Sequence, residues 1–317
     1  MSVLENIKEK VENAKSILII THLNPDGDAM GSSLGLLAAL KKIEKKAVVY
    51  IPVPNKTFSY LPGYSEIVTE ISDVNEYDLC IALDSSDLER LGTGREFFER
   101  IEDTIVIDHH ITNQSFADIN YLNAVASSTC ENLIVVLAAM NIAINKEIAE
   151  CLYTGILTDT GAFRYNIQSE TFEFVAMLME TGIETAKIYR KLFDSTTLNK
   201  TKLLGKALNR LEVLEDGKVS FTYITREDLQ ELNLDESDAD GIVNFGRNIE
   251  GTEVSIFIKE QEGKHKVSMR ANEYVDVSII ASKFAGGGHV RAAGFESVMT
   301  LEQIKTAILE EVKKQLK

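Results

Sequence analysis

Four apolar runs recur through the first half of the chain, and three of them end in acids or histidines. They are SILIITH (16–22), AVVYIPV (47–53), DLCIALD (78–84) and TIVIDHH (104–110). The connections between them are long enough for helical crossovers. Alternation of that kind predicts βαβ units and a parallel sheet covered on both faces. Ligands of such sheets bind beyond the carboxyl ends of the strands. The polar clusters fall there: His22 to Asp28 after the first run, Asp84 at the end of the third, and Asp108, His109 and His110 at the end of the fourth.

From about 125 to 190 the periodicity turns helical. ASSTCENLIVVLAAM opens with Ser128 and Glu131 at capping-box spacing, and KEIAECLYTGILTDTG reads as a helix that delivers Asp159 just before Gly161. Residues 187–208 are polar and poor in strand formers, which puts the domain connection near 190–200. A strand follows at 218–225, then two strands joined by a turn at Glu262-Gly263 within 252–272. A helix (277–284), the tripeptide Gly286-Gly287-Gly288, a strand (292–298) and a helix (301–316) complete a smaller α/β domain. The expected organisation is therefore a domain over 1–190, a helical linker over 191–205 and a second domain over 206–317.

At 317 residues the chain exceeds what one core usually organises, in agreement with two domains. The longest apolar run falls short of the roughly 20 residues that span a bilayer, and the amino terminus lacks the apolar stretch of a secretory signal, so the cytoplasm is the expected location. Cys80, Cys130 and Cys151 sit in apolar segments at wide spacing and read as core residues. A net charge of −16 argues against long duplex nucleic acid as a partner, because duplex binding draws on many cations at the surface. A small anionic substrate stays open, since metal ions supply positive charge locally.

The strand-end residues share one explanation. Imidazoles with several carboxylates form a nitrogen and oxygen donor set suited to Mn²⁺ and similar ions, whereas structural zinc calls for thiolates. Asp26 and Asp28, separated by Gly27, can serve two ions from one tight loop, and a single carboxylate such as Asp84 can bridge them. The expected geometry is a two-metal site with ions about 3.5–4 Å apart, activating a hydroxide for attack on phosphorus. Four carboxylates (Asp26, Asp28, Asp84 and Asp159) would offset the charge of two divalent ions; without a cation they would repel one another and the substrate.

HLNPDGDAMGS, the isolated Asp84, IDHH (107–110), LTDTGAFRY (157–165) and FAGGGHVRAAG (284–294) together resemble the DHH phosphoesterase superfamily, in the branch with a DHH-associated carboxyl-terminal domain. The size and two-domain layout are similar to the NrnA-like bacterial nanoRNases and pAp phosphatases. The resemblance covers nearly the whole chain. It implies that His22, Asp26 and Asp84 hold one Mn²⁺, that Asp28, Asp84, His109 and Asp159 hold the other, that Asp108 orients its neighbours, and that His110 faces the substrate phosphate. It further implies substrate contacts from Gly286, Gly287, Gly288, His289 and Arg270, with Arg247 and Asn272 as additional candidates, and an active-site cleft between the two domains. The expected substrates are short RNA oligonucleotides and 3′-phosphoadenosine 5′-phosphate (pAp). Cyclic di-AMP or its linear product pApA is the alternative, and a nucleotide-binding module without catalysis is the non-enzymatic one. No membrane partner is expected, and a homodimer is the candidate assembly.

Overall fold

A computed structural model describes residues 2–317, which divide into two compact units between Ser195 and Thr196. In the first unit, strands β1 (Ser16–Thr21), β2 (Lys46–Tyr50), β3 (Leu79–Leu83), β4 (Asp103–Asp108) and β5 (Ile119–Leu122) form one sheet in the order β2-β1-β3-β4-β5. Every pairing in it is parallel. The first four strands arise from the four apolar runs. The fifth, INYL, is a half-exposed edge strand of four residues in which only Ile119 and Tyr121 pack on the core, and its sequence carries no comparable signal.

Side chains alternate across this sheet as a pleat requires. Ile17, Ile19, Ile81, Leu83, Ile105 and Ile107 pack against helices α1 (Val3–Asn13), α2 (Gly27–Lys42), α4 (Thr129–Ala139) and α5 (Lys146–Asp159). Leu18, Ile20, Cys80, Ala82 and Val106 face the other way, onto α3 (Gly94–Arg100) and the turn before it. Helices α6 (Ser169–Glu180) and α7 (Thr185–Tyr189) complete the unit. The three cysteines are buried and free. Because β1 pairs with β2 on one side and β3 on the other, the connections leaving β1 and β3 diverge and open a crevice between them. His22 follows β1 and Asp84 follows β3.

Glycine makes the contact between α2 and α5 close enough to complete this crevice. Gly27, Gly31 and Gly35 fall four residues apart on one face of α2. A Cβ at Gly31 would lie 2.5 Å from the Cys151 carbonyl oxygen, and one at Gly35 would lie 2.9 Å from Leu152 Cδ2. The stripe lets α5 run against α2 along its length, so Asp159 at the end of α5 comes near Asp28 at the start of α2.

The second unit begins with α8 (Leu198–Asn209) and builds a six-stranded mixed sheet. Its strands are β6 (Glu212–Leu214), β7 (Val219–Ile224), β8 (Val254–Gln261), β9 (Lys264–Ala271), β10 (Gly287–His289) and β11 (Ala292–Ser297), in the order β10-β11-β9-β8-β7-β6. Only β7 and β8 pair in parallel. The β8–β9 hairpin turns at Glu262-Gly263, as the sequence predicts. One face packs on α11 (Val277–Ser282) and α12 (Leu301–Lys313). On the other, α8, α9 (Arg226–Glu231) and α10 (Val243–Arg247) cover the β7–β8 side, leaving a groove of about 620 Å³ whose lining includes Phe257, Lys266, Ser268, Arg270, Gly287 and Gly294. Among the described residues no helix is long and apolar enough to cross a membrane.

Two helical glycines separate packing from propensity. Gly31→Ala is expected to lower stability by about 1–3 kcal/mol, because the new methyl meets backbone. Gly205→Ala in α8, whose added Cβ meets nothing within 4 Å, is expected to raise it by about 0.5–1 kcal/mol. Urea unfolding of the two variants measures both signs; similar effects at the two positions contradict the close-approach account.

Candidate metal centre

The loop NPDGD between β1 and α2 is built by Asp26. Its Oδ1 accepts the N–H groups of Asp28 and Ala29 at 3.0 and 3.1 Å, capping α2, while the side chain stays exposed. The buried Asp28 points inward from the first turn of the helix. Its Oδ2 accepts Thr129 N–H at 2.6 Å and its Oδ1 accepts Cys130 N–H at 2.9 Å, so the amino terminus of α4 is aimed at this carboxylate. Thr129 Oγ1 also donates to Asp84 Oδ1 at 3.0 Å. Serines and threonines before α4 read in sequence as a helix start; they are one, and its first amides hold the Asp28 carboxylate while the Thr129 hydroxyl holds Asp84. What sequence does not show is where that start points.

Asp84 is the centre of the arrangement. It ends β3 with φ +58°, a left-handed conformation uncommon for a residue with a side chain and concentrated at functional sites. Its Oδ2 lies 3.5 Å from His22 Nε2 and its Oδ1 lies 3.7 Å from His109 Nε2. His22 Nε2 is also 3.9 Å from Asp26 Oδ1. His109 Nε2 is 3.6 Å from Asp159 Oδ2 and 4.0 Å from Asp28 Oδ2. Most of these separations are too long for hydrogen bonds. They match donors arranged around a shared ion, since ligands each about 2.0–2.2 Å from one centre sit roughly 3–4 Å from one another. Three groups of side chains have donor atoms close enough to hold a metal ion: His22, Asp26 and Asp84; Asp28, His109 and Asp159; and Asp84, His109 and His110.

Protonation fits the same chemistry. His22 Nδ1–H donates to Leu23 O at 2.7 Å, which fixes the tautomer and leaves Nε2 as the atom facing Asp26 and Asp84. Burial alone would lower the His22 pKa, but Asp26 and Asp84 overcome it and raise it to about 10. Burial, reinforced by Asp84 and Asp159, pushes Asp28 well above the usual carboxylate range. Burial also lifts Asp159 to about 6, with His109 pulling down and Asp84 and Asp26 pushing up. Protons thus take up negative charge that a cation would otherwise balance, and the all-nitrogen-and-oxygen donor set suits a hard or borderline divalent ion.

His110, whose Nδ1 is also 3.8 Å from Asp84 Oδ1, is held by Asp108. His110 Nδ1–H donates to Asp108 Oδ1 at 2.7 Å, and Asn113 Nδ2–H donates to Asp108 Oδ2 at 2.7 Å. That hydrogen bond raises the His110 pKa against burial, while the Arg90 guanidinium works in the opposite sense. Burial would raise the Asp108 pKa, yet the bonds from His110 and Asn113 hold it low. Sequence reasoning did not single out Asn113; five residues after Asp108 in a polar loop, it carries no signal beyond proximity.

In the second unit, Arg270 lines the groove on β9, its pKa lowered first by burial and then by the nearby charge of Arg247. Asn272 instead spends its amide on the Arg247 and Thr252 carbonyls, at 3.0 and 2.8 Å, and so fixes the end of β9. The glycine tripeptide, which the sequence leaves between a helix and a strand, is mostly strand itself: Gly287–His289 is β10, paired antiparallel with β11. A Cβ at Gly286 would lie 2.3 Å from Gly294 O, and one at Gly288 would lie 2.5 Å from Ala292 O, so two of the glycines are explained by close backbone approach. His289 is exposed on this edge strand.

The raised pKa values set a sign for stability. A group whose pKa is higher in the folded state contributes stability at low pH and loses it as pH rises through the folded value. Chelator-treated protein is therefore expected to lose thermal stability between about pH 4 and 6, as Asp159 ionises, and saturating divalent cation to flatten that slope. Scanning calorimetry across pH, with and without cation and with Asp159→Asn as the control, measures this; one slope under all conditions contradicts it.

Comparison with known proteins identifies the family. Residues 16–156 match the family model described as DHH family, N-terminal domain, and residues 216–317 match the DHHA1 domain. The chain is 33% identical to the bifunctional oligoribonuclease and PAP phosphatase NrnA of Thermus thermophilus, over 95% of this chain and 90% of that one. It is 28% identical to the protein of the same description from Bacillus subtilis, over 88% of each. A crystal structure of an exopolyphosphatase-related protein from Bacteroides fragilis superposes with a TM-score of 0.89 at 30% identity, covering 98% of this chain and 96% of that one. The chain belongs to the DHH family of phosphoesterases, with a DHHA1 domain as its second unit.

Proposed function

We propose that this chain is a manganese-dependent phosphoesterase that hydrolyses short oligoribonucleotides and pAp by a two-metal mechanism. The observation that carries the reading is the placement of Asp84, with one carboxylate oxygen toward His22 and the other toward His109. In this reading His22, Asp26 and Asp84 hold one Mn²⁺ and Asp28, Asp84, His109 and Asp159 hold the second. When bound, the ions supply positive charge for the phosphoryl oxygens and lower the pKa of the attacking water.

The remaining roles belong to side chains. His110, held by Asp108 and favoured in its protonated form, presents Nε2–H as a donor to the phosphoryl oxygen on which charge develops. Asp108 acts through His110 and is a positioning residue. Arg270 and Arg247, with the Gly286–Gly288 edge and His289, would contact the rest of a nucleotide; the mutual closeness of the two arginines favours an anion there. Short nucleotides rather than long duplexes suit a chain of net charge −16, in which cations are concentrated locally. The two relatives described as oligoribonuclease and PAP phosphatase support this choice of substrate.

The test is a substrate panel with Mn²⁺ and then with chelator. Turnover of pAp and of oligoribonucleotides a few residues long is expected with Mn²⁺ and not with chelator. Asp84→Asn should lower kcat/KM by about 100-fold or more. His110→Ala should lower kcat more than it raises KM, by about 10²–10³-fold. Near-normal turnover by Asp84→Asn would refute the metal assignment, and faster hydrolysis of cyclic di-AMP than of pAp or RNA would move the chain to the cyclic dinucleotide phosphodiesterases.

A further inference from the structure

The turn from Asp84 to Gly92 is tied down on both sides. Asp84 N–H donates to Ile107 O at 3.1 Å. Ser85 O accepts Asn113 Nδ2–H at 2.9 Å and Ser86 O accepts Gln114 N–H at 3.0 Å, which joins the turn to the segment after His110. Asp87 folds the turn on itself, accepting Arg90 N–H at 2.9 Å through Oδ1 and Ser86 Oγ–H at 2.9 Å through Oδ2. Arg90 O then accepts Leu23 N–H at 2.7 Å, and the Leu23 side chain fills the space beside Gly92, where an added Cβ would lie 2.3 Å from Cδ2. The backbone of Arg90 is thus fixed between the residue that follows His22 and the loop that follows His110.

Its side chain is exposed, and among the described residues it makes no ion pair within 4.0 Å. The adjacent Glu89 pairs with Arg95, which also pairs with Glu99. Arg90 therefore keeps its charge free in a chain with 49 acidic and 33 basic residues. The turn that carries it follows Asp84 and is bonded to the residue after His22, which puts Arg90 beside the site. Charge arithmetic says what it is free for. Four carboxylates, Asp26, Asp28, Asp84 and Asp159, would balance two divalent ions, so the ions themselves leave no charge over for a second phosphate, and a cation of the first unit would add to what Arg270 and Arg247 of the second unit supply. Nucleotides such as pAp carry a second phosphate.

We propose that Arg90 binds a second, non-reacting phosphate of the substrate, using the planar fork of its guanidinium, and so makes the site prefer substrates that carry a terminal phosphate. The proposal rests on the phosphoesterase reading above. Arginine suits the task because two parallel N–H donors match two phosphate oxygens, which lysine cannot copy.

The test uses the full chain with Mn²⁺ and two substrates that differ in one group: diadenylate with a 5′-phosphate and diadenylate without it. For the wild type, the phosphorylated substrate should have the lower KM. Arg90→Ala should raise that KM about tenfold or more, leave kcat within about threefold, and leave the unphosphorylated substrate nearly unchanged, so that the preference collapses. Arg90→Lys should restore it only in part, and Arg164→Ala, another arginine of the first unit without an ion pair, should leave it intact. The ties that hold the turn use the backbone of Arg90, so the thermal midpoint of Arg90→Ala should match the wild type. Equal effects of Arg90→Ala on both substrates, or none on either, overturn the proposal while the parent reading stands. Absence of wild-type turnover of both overturns the parent reading, and the proposal with it.

Discussion

Repulsion among the carboxylates of Asp28 and Asp84, both buried, and the half-buried Asp159 is the constraint on which the rest of this molecule turns. Two like charges about 4 Å apart cost about 4 kcal/mol at an effective dielectric of about 20, before any desolvation is counted. A fold that brings three such groups to one pair of histidines must balance them. The protein does so partly with protons, as the elevated pKa values of Asp28, Asp159 and His22 show. It does so partly with dipoles, since Asp28 receives two amides from the start of α4. Neither device removes the net negative charge of the cluster, and a divalent cation is the remaining answer that its donor atoms suit.

The architecture explains how such a cluster is held. Reversal of strand order at β1 opens the crevice between the loops after β1 and β3, and β4 brings the two histidines alongside. The glycine stripe of α2 admits α5 closely enough for Asp159 to complete the set. Each of these is a backbone feature, fixed by sheet pairing or helix contact, so the donor atoms are positioned before any ligand arrives. The strained backbone at Asp84 belongs to the same design, because it turns the carboxylate so that its two oxygens face different partners.

Much of this was legible in the sequence, for reasons that differ by element. Buried parallel strands must be apolar throughout, so four of the five strands in the first sheet announced themselves; β5, half exposed at the edge, did not. Polar residues at the ends of those strands stand out against their apolar neighbours, and the fold brings together His22, Asp26, Asp28, Asp84, His109 and Asp159 from 138 positions of chain. Interactions made by backbone were not legible. The amides of Thr129 and Cys130 on Asp28, and the carbonyl of Leu23 that sets the His22 tautomer, leave no trace in residue identity. Glycine was ambiguous in the same way: a run of three fits a turn as well as a strand, and close approach of strand backbones accounts for Gly286 and Gly288. The backbone clamp made by the Asn272 amide was likewise not legible, since the carbonyls of Arg247 and Thr252 that it bonds carry no residue signature.

The account stands or falls on whether Asp84 is shared between two cations. Anomalous diffraction from crystals grown with manganese measures this without reference to activity. Two peaks are predicted, one among His22, Asp26 and Asp84 and the other among Asp28, Asp84, His109 and Asp159. A single peak served by only one oxygen of Asp84, or no peak at either position, would contradict it.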